Sequence, residues 1–308
     1  MTHHSLWLKA FVLCMALSTG VAQGIPQDDP PPCSFLAGND VLSEYDSTGA
    51  LMRTFAEATD VFDVTVNPIT GNVFASDPLH NRLYAIDYLD GSVYPISDLV
   101  FDQPSDLKFN ADGLLYVTNR GTDAIVEMWV ELPGFGLDVA AVSSSVIGAG
   151  HLSVPGGIAF DETGNMFITS GPSDIVVLDN SFGLVDTYSL PGALVDPGGI
   201  AYADGFLYVV SQGTDEVLRV DALTGALEGT ATAPLTGPTS LEIAECTGSL
   251  LIADESGVVV LDLESGVYVE TFPVGAKTGV AQAIPEPATL ALLGIGLGAL
   301  IRRRRKKV

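Results

Sequence analysis

Apolar and polar residues alternate along most of this chain in short runs, and the runs are separated by clusters of Asn, Asp and Gly. A period of two predicts half-buried strands, and no stretch between the runs carries the 3.6-residue spacing of an amphipathic helix. Five stretches align with one another: DVTVNPITGNVFASD from Asp63, PSDLKFNADGLLYVTN from Pro104, PGGIAFDETGNMFITS from Pro155, PGGIAYADGFLYVVS from Pro197 and PTSLEIAECTGSLLIAD from Pro238. Each reads as a hairpin: an apolar strand, a turn such as Asp161-Glu-Thr-Gly-Asn165, then a β-branched or aromatic strand. A third strand follows, as in RLYAID from Arg82, DIVVLD from Asp174 or EVLRVD from Glu216, and a Gly-containing turn leads into a fourth.

Matching positions Asp63, Asp106, Gly157, Gly199 and Ser240 are spaced by 43, 51, 42 and 41 residues. Repeats of this length with four strands and no helix predict the blades of a β-propeller. A sixth third-strand pattern, NDVLSEYDSTGALMRTF from Asn39, lies upstream of the five, with CSFLAG from Cys33 as its second strand. Its missing inner strand is supplied by TGVAQA from Thr278, where Gly279 falls 39 residues after Ser240. The expected fold is therefore all-β, a six-bladed propeller over residues 33–283 whose first blade is closed by a strand near 278–283. Closure removes the exposed strand edges that invite aggregation. The third repeat is about nine residues longer than its neighbours, over Leu132–Val146, and predicts a longer loop or outer strand.

The two ends differ from the body. Residues 1–22 have a polar start with Lys9, an apolar stretch from Ala10 to Leu17 and small residues before Ala22, which predicts a secretory signal peptide. Residues 23–32, with three consecutive prolines, predict an extended spacer. Residues 284–308 read IPEPATLALLGIGLGALIRRRRKKV. The apolar run 288–301 predicts a helix shorter than the roughly 20 residues a bilayer core requires. The basic tail Arg302, Arg303, Arg304, Arg305, Lys306 and Lys307 would stay cytoplasmic.

This order of motif, apolar segment and basic tail resembles the PEP-CTERM sorting signal of Gram-negative bacteria, with Pro285, Glu286 and Pro287 matching its tripeptide. The resemblance implies export by the secretion machinery, transient anchoring in the inner membrane, removal of the tail by the membrane enzyme exosortase, and delivery to the cell surface or an extracellular polymer matrix. An ordinary tail anchor is the plainer alternative.

Charge narrows the partners. The formal net charge is −25, all 38 acidic residues lie between Asp28 and Glu286, and the body carries only Arg53, Arg82, Lys108, Arg120, Arg219 and Lys277 against them. Such a surface repels nucleic acid and excludes it as a partner. After processing, Cys33 and Cys246 remain, which permits one disulfide in an exported protein.

The PxGI and LYV lines, here Pro155-Gly-Gly-Ile158 and Pro197-Gly-Gly-Ile200 with their strands, resemble the NHL and gluconolactonase-like propellers. Lactonases of that group hold a divalent metal in the central channel with a Glu and Asn or Asp partners. On the inner strands here, Glu242, Asp63 and Asp106 are the acids, and they are the candidate ligands for Ca²⁺ or another divalent ion. Gly157, Gly199 and Ser240 occupy the matching positions elsewhere, so no three-carboxylate cage is expected. No nucleophile motif accompanies His80 or His151. The expected function is a non-catalytic binding or structural module that meets exopolysaccharide or surface proteins; the alternative is a metal-dependent lactonase. Trp129, Tyr84, Tyr116 and Tyr208 are expected to fill the blades, and Asp77, Asp123, Asp215 and Asp254 to cap turns.

Overall fold

The computed structural model describes residues 34–282, apart from 39, 89, 98–100, 132–139, 149, 232, 245–246 and 275–277. The signal peptide, the spacer, the Cys33–Cys246 pair, Pro285–Pro287, the apolar run 288–301 and the basic tail lie outside the described residues. Among those described, no helix is long and apolar enough to cross a membrane.

The strands group by blade in chain order. Blade one holds β1 (Phe35–Ala37), β2 (Val41–Tyr45) and β3 (Leu51–Thr59), and blade two holds β4 (Asp63–Val66), β5 (Val73–Asp77), β6 (Arg82–Ile86) and β7 (Val93–Ile96). Blade three runs through β8 (Pro104–Phe109), β9 (Leu115–Asn119), β10 (Ala124–Glu131) and β11 (Ala140–Ile147), and blade four through β12 (Ile158–Phe160), β13 (Met166–Ser170), β14 (Asp174–Leu178) and β15 (Leu184–Ser189). Blade five comprises β16 (Pro197–Ala203), β17 (Phe206–Ser211), β18 (Glu216–Asp221) and β19 (Leu227–Ala231). Blade six comprises β20 (Ser240–Ala244), β21 (Ser249–Asp254), β22 (Gly257–Asp262) and β23 (Tyr268–Phe272), after which β24 (Val280–Gln282) returns to blade one. All six sheets are four-stranded, and blade one is ordered β24-β1-β2-β3.

Two antiparallel contacts close the ring. Leu36 pairs with Ala281 across β1 and β24, and the Gly38 N–H donates to the Gly279 carbonyl at 2.8 Å. The hydrophobic core is divided into six clusters, each between two adjacent sheets. This explains the sequence pattern. Second and third strands are covered on both faces, so β5, β13 and β22 are almost continuously apolar and buried. Fourth strands such as β15 have neighbours on one side only and remain largely exposed.

A repeated hydroxyl stitches blade to blade. Thr118 Oγ1 donates to the Gly156 carbonyl and Thr169 Oγ1 to the Gly198 carbonyl, both at 2.8 Å, and Ser76 Oγ does the same to Ser105. These hydroxyls also accept the N–H groups of Asp106, Gly157 and Asp63. Donor and acceptor capacity of each hydroxyl is thereby used at a buried position.

Three sequence readings are refined. Tyr84, Tyr116 and Tyr208 are buried filler, but Trp129 is 49% exposed. Val126, Met128 and Val130 are buried together on one face of β10, so Trp129 falls with Glu127 on the other face, near the end of the strand. Asp123 and Asp215 do not cap their own turns; they accept the N–H groups of Val154 and Gly237 in the following inter-blade loops. The long third repeat forms an extended outer hairpin from β10 and β11, with its tip outside the described residues.

Candidate functional site

The inner strands meet around the axis, and the residue type at their first positions sets what lies there. Gly157 and Gly279 bring backbone against backbone: a Cβ on Gly157 would stand 2.7 Å from Ile200 N, and one on Gly279 would stand 2.6 Å from Asp63 Cα. Asp63 and Asp106, on adjacent blades two and three, instead send carboxylates toward the axis. Asp63 accepts the Leu107 N–H at 3.1 Å and the Ser240 hydroxyl of blade six at 2.9 Å. Asp106 accepts the Ile158 N–H at 2.6 Å.

Burial raises the pKa of both carboxyls: Asp63 rises to about 6, held there against the hydrogen bonds it accepts from Asp106, Leu107 and Ser240. Asp106 rises well above the usual carboxylate range, first through burial and then through the facing Asp63 charge. Both causes favour the protonated form of Asp106, the form that can donate to Asp63. Two residues along, Lys108 Nζ and Glu242 Oε2 form an ion pair at 2.5 Å from blade three to blade six, directly across the ring.

The raised acids carry a sign for stability. Between the ordinary carboxylate pKa and about 6 the folded chain holds more protons than the unfolded chain, so this contribution is complete below about pH 4 and lost as pH rises through about 6. The rise of Asp63 from 3.8 to about 6 corresponds to roughly 3 kcal/mol. Asp106→Asn, whose amide mimics the protonated acid, is expected to flatten the fall in urea midpoint between pH 4 and pH 7. A fall as steep as in the unmodified protein would contradict the raised Asp106 carboxyl.

The candidate metal ligands are thus brought into one region but already engaged. Glu242 faces an ammonium, and both Asp63 oxygens accept protein donors. A lactonase-type divalent cation would have to displace Lys108, so these residues do not fit that group. Among the described residues, Asp60, Asp77 and His80 group closely enough to share an ion. Asp77 is completely buried and already accepts His80 Nδ1 and Arg82 Nε, both at 2.8 Å.

Above the axis, on the side of the loops between second and third strands, Arg120 and Gln212 line an open cavity of about 500 Å³ with Ser153, Val154, Pro172 and Asp196. Of the described basic side chains, Arg53, Arg82 and Lys108 are ion-paired and Arg219 stacks on Phe206. Among the described residues Arg120 has no such partner. Sequence reading missed Lys108 and Arg120. Lys108 was findable, because it lies two residues after Asp106 and so on the same strand face; Arg120 follows a turn and carries no periodic signal.

Comparison with known proteins agrees with both halves of the chain. The family model described as the PEP-CTERM protein-sorting motif matches residues 283–306. No curated protein sequence matches the chain. Among solved structures, a chain of the nidogen/laminin complex is 16% identical, covers 82% of this chain and 98% of its own length, and superposes with a TM-score of 0.68. A protein of unknown function from Bacteroides caccae is 15% identical over 82% of this chain and 100% of its own, at a TM-score of 0.61. At these identities the likeness establishes the six-bladed fold alone. The sorting motif marks the chain for export to the cell envelope or surface and for processing by exosortase.

Proposed function

We propose that this exported propeller is a non-catalytic binding module of the cell surface or extracellular matrix. The observation that carries the reading is the plugged axis. Lys108 and Glu242 neutralise each other across the ring, and the buried Asp63 and Asp106 carboxyls are engaged by the Leu107 and Ile158 N–H groups and the Ser240 hydroxyl. The place where a propeller hydrolase needs an available ligand set offers none to a metal. What is available lies above it, where unpartnered Arg120 and Gln212 face an open cavity. A guanidinium in an otherwise acidic surface suits a single carboxylate-bearing group on a polysaccharide or surface protein. In this reading exosortase recognises Pro285, Glu286 and Pro287 and severs the segment carrying Arg302–Lys307, which releases the propeller from a transient membrane anchor.

The test combines turnover with association, using mature protein from its native host. Lactone hydrolysis should be absent with Ca²⁺, Mg²⁺, Zn²⁺ or chelator, while sedimentation with the host's extracellular polymer should be retained and weakened by Arg120→Gln. Metal-dependent hydrolysis abolished by Glu242→Gln would overturn the reading in favour of a lactonase. Mass spectrometry of the same material should find a terminus close to Pro285; retention of Arg302–Lys307 would contradict the processing.

A further inference from the structure

Blades one and five carry the same row of cross-strand neighbours with different residues. In blade one the row is Ala281, Leu36, Glu44 and Arg53. Glu44 is buried and accepts Arg53 Nε at 2.6 Å and the Tyr88 hydroxyl of blade two at 2.6 Å. Arg53 then lies over the Tyr88 ring at 4.0 Å and fills the space between the sheets. In blade five the row is Ala201, Tyr208, Arg219 and Gly229. Where blade one has Arg53, blade five has no side chain.

The consequence is a cavity. A Cβ built on Gly229 would meet nothing within 4 Å, and about 160 Å³ opens there between blades five and six. At ~30 Å³ per water that is room for about five waters, more than one bridging water needs. Arg219 lines the cavity, and its Nε, shielded from water, lacks a hydrogen-bond partner among the described residues. Its guanidinium carbon is fixed 3.6 Å from the Phe206 ring centre. Blades two, four and six place Tyr94, Asp186 and Glu270 at the position of Gly229, so each of them puts a side chain where blade five has none.

We propose that this cavity is a binding site for one neutral sugar residue of a polysaccharide. The chemistry of the lining selects it. Arg219 calls for an acceptor, the exposed Glu228 and Glu264 carboxylates at the rim call for donors, and the Tyr208 ring with Leu250 and Leu261 offers an apolar wall. A hydroxyl both accepts and donates, and a pyranose adds an apolar face. An anion would meet Glu228, Asp262 and Glu264, and an amine would meet Arg219. The site lies apart from Arg120 and deepens the binding-module reading, on which it rests.

Ligand-observed saturation-transfer NMR with glucose, galactose, mannose and N-acetylglucosamine tests it. At least one sugar should give a signal with the mature protein, and both Gly229→Leu, which fills the cavity, and Arg219→Met should weaken that sugar about tenfold. Gly229→Leu should melt at an unchanged or higher temperature, and Arg120→Gln should leave the sugar signal intact. Absence of signal for all four sugars, meaning that water alone occupies the cavity, overturns the proposal, as does an equal signal from Gly229→Leu. If polymer sedimentation survives while the sugar signal is absent, this site fails and the binding-module reading stands; if sedimentation is absent as well, both fail.

Discussion

Gly157→Ala is expected to destabilise the protein by about 3 kcal/mol, at the upper end of what overpacking costs, and to lower its melting temperature by roughly 6–12 °C at 2–4 °C per kcal/mol. The added methyl would stand 2.7 Å from Ile200 N, 2.8 Å from Gly199 Cα and 3.0 Å from the Gly198 carbonyl oxygen. All three are backbone atoms of the next inner strand, so no side chain can rotate away. The neighbouring strand itself is held by the Gly199 N–H donating to the Thr239 carbonyl at 3.0 Å. A shift at blade four must therefore pass to blades five and six, and the closed ring leaves no free edge to absorb it. Gly229→Ala supplies the contrast, since its methyl meets open space and its φ is not in the left-handed region. That change should be neutral or stabilising by about 0.4–1 kcal/mol through the unfolded chain. Equal urea midpoints for Gly157→Ala and Gly229→Ala would refute the inner-strand contact as the cause.

Arg53→Met is the second large effect, with an expected loss of about 3–5 kcal/mol. Glu44 is 1% exposed and would keep only the Tyr88 hydroxyl as a donor. The guanidinium also donates to the Tyr88 carbonyl at 2.7 Å and packs over Phe55 at 4.8 Å, so several contacts vanish together. Methionine preserves most of the stem's apolar cover, which leaves the uncompensated carboxylate as the dominant cost. Adding Glu44→Gln to Arg53→Met should recover part of the loss, because the charge that lacked a partner is gone. A double variant whose loss equals the sum of the single variants would show that the two residues do not act as a pair.

The same row of residues shows why some features could be read in the chain and others could not. Two-residue alternation, turn clusters and recurrence at Asp63, Asp106, Gly157, Gly199 and Ser240 are local or evenly spaced, so blade count and strand order were legible. The acids near the axis were legible as well, because equivalent repeat positions must face the same centre. Their pairing was not. Ser240 reaches Asp63 across 177 residues and Lys108 reaches Glu242 across 134, distances over which spacing carries no information about contact. Trp129 shows the limit within one strand: alternation sets its face, but how far a neighbouring sheet covers that face is decided by packing.

What the sequence by itself determined is the class of element, the number of repeats and the sorting motif at 283–306, because each depends on neighbours in the chain or on a short ordered string. Tertiary structure alone decided which charges neutralise each other, which carboxyls burial pushes up, and where an absent side chain leaves a cavity. Gly229 carries no distinguishing signal in the chain; only the register that sets it opposite Arg219, against a second sheet, makes it an opening. Desolvation and cross-blade distance are properties of the closed ring, and no local pattern of residues encodes them.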